Sequence, residues 1–354
     1  MSDRALELTR VANLDAARDD WIRLADAAGN PFTTWEWASG WWRHFGGDRE
    51  LLVSIARRPD RTAAAILPLY VSATSPARTV RFVGQGPADQ LAPVCAPEDL
   101  KPATLALRDA LESDMGGWQV AIADRLPGEA GIAGLLGGRV VRSESSPVLH
   151  HDGDFDSFLA SRSRNFREQV RRRERRLERD HRIAFRLTDD PERLESDFET
   201  LVRLHRARWG ESSSAFQPPL DRFHHEFAGA ALERGWLRLW TLEVDGRPAA
   251  CWLGYRMGGA EWYYQAGRDP ALEREAVGFV LMAHTVRETL DDGIGEYRLL
   301  LGGEGYKDRF ANADHGLETV ALGRGVRGRL ALAAARAASA APPVLRRQLR
   351  RLAG

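Results

Sequence analysis

The sequence predicts an α/β protein made of two consecutive domains of one fold, each a mixed, largely antiparallel sheet flanked by helices. Three observations predict it. Helices, three short strands, a loop, a helix and a further strand occur in the same order in each half, offset by roughly 180 residues. The turn dipeptides Asp245-Gly246 and Gly258-Gly259 punctuate the second set of strands, as hairpins demand. A chain of 354 residues, 44% hydrophobic and with 11 tryptophans, has the length and apolar content for two cores.

In the first half, apolar residues recur at helical spacing over 14–28 and 35–45. Strands are expected near 51–57, 62–71 and 79–83, then a loop at 84–97, a helix at 98–112 and a strand at 118–123. Trp35, Trp37, Trp41 and Trp42 are partly in helical register, which suits a core more than a sugar-stacking platform. From 162 to 182, ten arginines stand against four acidic residues, while Phe166, Val170 and Leu177 recur at helical spacing. This is a helix with a narrow apolar stripe and a basic face. A solvated helix neutralised by the acidic stretch at 189–199 and an anion-binding face both fit it. The second half then gives helices at 191–208 and 220–234. Strands follow at 236–244, 248–257 and 260–266, a loop at 267–275, a helix at 276–292 and a strand at 296–301. The expected domains are 1–155, a connecting helix at 156–182, 183–323 with the donor site, and a helical tail at 324–354.

Charge narrows the functions. Fifty basic residues balance fifty acidic ones, so no global field draws the chain to nucleic acid or membrane. Cys95 and Cys251 lack metal-ligand spacing and point to a reducing compartment. No run approaches the ~18 apolar residues of a membrane span. A cytoplasmic protein without a membrane span is expected. There is no phosphate-loop motif, no dinucleotide fingerprint, no His-Glu-x-x-His and no nucleophile elbow. His150-His151 and His224-His225 lack companion ligands, so no metal is expected.

Only two of the fifty basic residues are lysines, Lys101 and Lys307. In a chain that otherwise uses arginine, Lys307 marks either a place for a compact ammonium or a surface lysine in a turn, and composition alone fits both. It follows the strand at 296–301, beside Tyr306. On the same end, the helix start at Ala276, Val277 and Gly278 offers free amides and a positive dipole end suited to phosphates. The strand through Tyr264 and Gln265, and the loop opening at Gly267, face it. Tyr306 is a candidate proton donor to a departing thiolate, Lys307 an offset for developing charge, and Tyr264 a polarising group.

These residues carry a resemblance. Pro31-Phe32-Thr33-Thr34-Trp35-Glu36-Trp37 with Trp41-Trp42 is one part of it, and Ala65-Ile66-Leu67-Pro68-Leu69 and Phe82-Val83-Gly84-Gln85-Gly86-Pro87-Ala88-Asp89 are others. The arginine-rich helix, Leu204-His205-Arg206-Ala207-Arg208-Trp209, Asp245-Gly246-Arg247-Pro248-Ala249-Ala250 and the segment from Gly302 to Lys307 complete it. In order and spacing the chain resembles the cellulose-biosynthesis-associated (CelD/BcsL-type) acetyltransferases of the GNAT superfamily, related to the Fem-like transferases. The resemblance implies tandem GNAT-like domains, with an acyl-CoA, acetyl-CoA foremost, held by the C-terminal one. Gln265, Gly267, Ala276, Val277 and Gly278 would bind the donor. The acceptor would be an amine or hydroxyl of a small molecule, amino sugar, peptide or glycan, with His205, Arg208, Trp209 and Asp89 as candidate contacts. Structural roles for His205 and Trp209, and a turn role for Asp89, are equally open. The chain departs from the family at Ala276-Val277-Gly278, where a Ser-Pro-Gly-like step is usual, at Glu273, and at Leu299, where an Asp is common. Two further readings stay open: a Fem-like transferase fed by aminoacyl-tRNA, and an inactive binding or scaffold protein.

Overall fold

The computed structural model describes residues 6–72, 77–113, 117–210, 213–303 and 305–340. They form two compact units. The first contains residues up to 28, residues 32–143 and the strand Leu317–Gly323; the second contains residues 29–31 and 144–316.

The first unit has two sheets. Four strands lie in the order Glu7–Arg10, Ser54–Arg57, Ala63–Leu67, Val94–Cys95. Six lie in the order Glu50–Leu51, Leu69–Ser72, Thr79–Phe82, Val120–Pro127, Leu317–Gly323, Arg139–Glu144. The strand expected at 62–71 is thus two strands in different sheets, divided at Pro68. Proline has no N–H to give to a ladder, and the chain changes sheets there. Trp37 and Trp41 are 0% and 2% exposed and belong to the core. The Trp41 indole donates to the Gln85 carbonyl at 2.9 Å.

The second unit has one seven-stranded sheet. In chain order its elements are β1 (Pro147–His150), α1 (Phe155–Ser161), α2 (Arg164–Asp180) and β2 (Ile183–Leu187). Next come α3 (Pro191–Trp209), α4 (Leu220–Glu233), β3 (Leu237–Val244), β4 (Arg247–Met257) and β5 (Ala260–Arg268). Then follow α5 (Val277–Asp291), β6 (Glu296–Arg298) and β7 (Ala313–Asp314). The strand order is β2-β3-β4-β5-β6-β1-β7. All neighbours are antiparallel except β5 and β6, which α5 joins as a crossover. The expected fold class, mixed and largely antiparallel sheets flanked by helices, is the one observed.

Local chemistry sets the helix starts. Asp190 accepts from the amide of Glu192 at 2.9 Å ahead of Pro191, and Ser163 accepts from the amide of Phe166. Strand alternation then sends β4 and β5 side chains to two faces. Trp252 and Tyr263 stack on one face, against Val277 and Leu281 of α5 and Phe166 of α2. Tyr255 and Tyr264 point to the other, towards Phe227 and His224 of α4. Both faces of β4 are therefore covered, and its interior is buried without interruption.

The arginine-rich helix is part of the second unit. Phe166, Val170 and Leu177 are buried, and Glu174 accepts both guanidinium nitrogens of Arg287 from α5 at 2.8 and 2.9 Å. Arg171, Arg172, Arg175, Arg176 and Arg179 face solvent. No described helix is long and apolar enough to cross a membrane.

Candidate active site

The site begins with an irregularity in β5. Leu253 pairs with Gln265 and Gly254 with Tyr263, so Tyr264 is an extra residue, a β-bulge. Tyr263 therefore keeps the face of Trp252 and Ala266, whereas Tyr264 turns away, its hydroxyl 2.9 Å from His224 Nε2 in a buried contact. Burial lowers the His224 pKa to about 3, so that imidazole is neutral.

On the Tyr263 face a cavity of about 260 Å³ opens. Trp252, Tyr263, Phe279 and Met282 give it apolar walls, and Arg173, Arg208 and Arg268 line it with guanidinium groups. Arg173 lies 4.5 Å over the Phe279 ring; burial, then the charges of Arg309 and Arg172, lower its pKa. Arg268 donates to Glu273 at 3.0 Å, and Arg208 lies 4.4 Å over the Trp209 ring. Cys251 also lines the cavity, but burial pushes its thiol up to about 12 and denies it nucleophilic character.

The start of α5 opens into the same space through Ala276 and Gly278. Ala276 holds a left-handed conformation, φ 56° and ψ 37°, and offers no side-chain cap. Helix geometry gives the amides of Val277 and Gly278 no carbonyl within the helix. Side chains cap the starts of α2 and α3, whereas the start of α5, which faces the cavity, has no such cap.

Tyr306 approaches from beyond β6, its hydroxyl 3.2 Å from that of Tyr263. Lys307 begins a short 3-10 turn, Lys307–Arg309, and is 5% exposed. Its ammonium donates to the Leu301 carbonyl at 2.6 Å and lies 5.8 Å from the Tyr263 ring centre.

Of the residues singled out in the sequence, Tyr306, Arg208, Gly267, Ala276 and Gly278 line this one cavity. The others do not. Lys307 stands behind Tyr263, Tyr264 is on the opposite face, and the Val277 side chain is fully buried in the core. Gln265 pairs with Leu253 away from the cavity wall. His205 is 4% exposed, with Nδ1 donating to the Ala266 carbonyl at 3.0 Å and Nε2 2.8 Å from the Ser213 hydroxyl. Burial lowers its pKa, and both ring nitrogens are committed to structure. Trp209 is 47% exposed. Asp89 lies in the first unit, where it accepts from Arg125 at 3.2 Å. Gly267 has a packing role as well: a Cβ there would stand 2.3 Å from the His205 backbone nitrogen, so α3 can cross β5 only above a glycine.

Sequence reading missed Tyr263, Trp252, Arg173 and Arg268. Arg173 was visible as one of the basic residues of α2, but nothing in the spacing told the cavity side from the solvent side. No group of three or more His, Cys, Asp or Glu among the described residues could hold a metal ion.

Residues 164–308 match the Acetyltransferase (GNAT) domain family. No curated protein matches the sequence. Solved structures similar to the chain include FemX, at 10% identity over 88% of this chain and 96% of that one, with a TM-score of 0.62. A C-terminal DUF2156 domain from Agrobacterium fabrum is 12% identical over 92% of this chain and 96% of its own, with a TM-score of 0.58. L-PGS from Bacillus licheniformis is 14% identical over 90% and 94%, with a TM-score of 0.54. At such identities the likeness is one of fold. Every residue lining the cavity falls inside the segment that matches the acetyltransferase domain, and that segment has a GNAT-type transferase fold.

Proposed function

We propose that the protein is an acyltransferase that moves an acyl group, acetyl foremost, from acyl-CoA to an amine or hydroxyl of a small-molecule, amino-sugar, peptide or glycan acceptor. The observation that carries this reading is the cavity itself. It joins an uncapped helix start, three guanidinium groups, apolar walls and a pair of tyrosine hydroxyls.

These residues fit such a donor. First-turn amides and arginines suit phosphate groups, and Trp252, Phe279 and Met282 suit an uncharged arm. The Trp252 indole N–H is buried in the wall with no hydrogen-bond partner among the described residues, a donor left for a ligand carbonyl. A bound acyl-CoA would supply the activated acyl carbon and a thiolate leaving group. In this reading the chain's own groups do the following. Arg173, Arg208 and Arg268 gather negative charge, with Glu273 orienting Arg268. Tyr306 holds the transferable proton at its hydroxyl, and Tyr263 orients that hydroxyl. Lys307 ties the turn bearing Tyr306 to the Leu301 backbone and acts as a positioning residue.

Calorimetric titration of the full chain with CoA and acetyl-CoA tests the reading. Saturable binding is expected, weakened at least tenfold by Arg268→Ala. Absence of heat at millimolar ligand would sink it. A second reading, transfer from aminoacyl-tRNA as the Fem-like resemblance implies, draws on the solvent-facing arginines of α2. It requires tRNA affinity that falls steeply with salt, and a flat salt response removes it.

A further inference from the structure

The chain as a whole carries no net charge, yet its stretch from residue 319 to residue 354 is one-sided. It holds eight arginines, from Arg324 to Arg351, and no aspartate or glutamate. Within it lies the helix Gly325–Ala340, which packs against the first unit's strands Leu317–Gly323 and Val120–Pro127. That packing fixes one face of the helix. A Cβ on Gly328 would stand 2.1 Å from the Gln119 carbonyl oxygen, and a Cβ on Gly323 would stand 2.9 Å from Leu332 Cδ1. At about 100° per residue, Val326 and Leu330 fall on the opposite face. They are 69% and 63% exposed, the most exposed large apolar side chains among the described residues. Arg327 and Arg329, both exposed, stand on either side of that stripe, and exposed Ala333 extends it.

We propose that this helix docks the protein on an anionic phospholipid surface, with Val326 and Leu330 dipping below the headgroups and Arg327 and Arg329 meeting their phosphates. A helix that lies in a membrane interface needs an outward apolar stripe flanked by cations. Here the strands behind the helix decide which way the stripe points. Each guanidinium can give a phosphate two parallel hydrogen bonds, so arginine suits the flanks. The other arginines of residues 319–354 add to the attraction as a polybasic segment does. The same charge argues against a second copy of the chain on this face, because two such helices would bring like charges together. Single-stranded nucleic acid would engage the arginines, but it stacks its bases on aromatic rings and gives two outward aliphatic side chains nothing to cover.

The experiment is co-sedimentation of the full chain with vesicles of phosphatidylcholine containing about one-third phosphatidylglycerol, alongside vesicles of phosphatidylcholine alone and a gel shift with single-stranded RNA. Pelleting with the anionic vesicles is expected, at least tenfold weaker on the neutral ones. Val326→Ser with Leu330→Ser, and separately Arg327→Gln with Arg329→Gln, should each weaken it at least fivefold with circular dichroism unchanged, since all four positions are exposed. If the anionic vesicles do not carry the wild type down, or either double variant pellets as the wild type does, the proposal is overturned. RNA binding without vesicle binding would also overturn it and assign the basic stretch to nucleic acid.

Discussion

The ammonium of Lys307 shows what a chain that prefers arginine keeps a lysine for. It is 5% exposed and donates to the Leu301 carbonyl at 2.6 Å. A guanidinium would bring five donors in a planar fork to the place of one compact ammonium. Lys307→Met should therefore cost about 1–3 kcal/mol in urea unfolding, because the carbonyl loses its donor while the packing survives. Gly267→Ala should cost more and yield little folded protein, since the new methyl meets the backbone of α3 and no rotamer can relieve it. Under the acyltransfer reading, Tyr306→Phe should leave the melting temperature near wild type and lower kcat by roughly 10²-fold with KM little changed. Equal kcat for the variant and the wild type would remove Tyr306 from the chemistry. The site was only half legible at this scale. Alternation along β5 is a sound guide until a bulge adds a residue, and the bulge at Tyr264 put the cavity tyrosine one place earlier than the motif suggested.

Among the elements, the β3–β5 meander was read correctly because its turns are written in the sequence. Asp245 and Gly246 have φ of 52° and 76°, and Gly258 and Gly259 have φ of 62° and 72°, as tight two-residue hairpins require. The matching stretch of the first unit was not, because Pro68 redirects a continuous apolar run between two sheets. Short strands such as β1 and β7 carry too few residues to show a period. Helix α5 was legible, but its internal tension was not. His284 stacks on Phe185 at 3.8 Å and meets Trp240 edge-on at 4.8 Å, its Nε2 buried with no hydrogen-bond partner among the described residues. Burial, then the charge of Arg287, lowers its pKa to about 4. The unfolded chain takes up this proton near pH 6.5 and the folded protein only near 4, so stability is lost as pH falls through that window. The loss from this group approaches about 3 kcal/mol, and His284→Phe should flatten the curve of stability against pH below 6.5. An unchanged curve would mean that the ring is protonated in the folded state.

For the whole molecule, the order of helices and strands in the two halves was enough to give the fold class, but not which strands belong together. Leu317–Gly323 stands in the first unit's sheet between Val120–Pro127 and Arg139–Glu144, where Val320 is fully buried. Such long-range pairing leaves no local trace in a sequence. Val320→Asp puts a charge into that sheet and should unfold the first unit. Proteolytic fragments mapped by mass spectrometry should then come from residues 50–127 before residues 164–308; the reverse order would contradict the division of the chain. The late strand also bears on how the protein is made. Residues 144–316 leave the ribosome after most of the first unit and before the strand that completes it. At ~5–20 residues per second, the first sheet waits roughly 10–35 s for its missing member. The second unit, with its cavity, can be finished in that interval. During synthesis the unfinished sheet is therefore the exposed partner, and chaperones would be expected to meet the amino-terminal unit, not the one that carries the site.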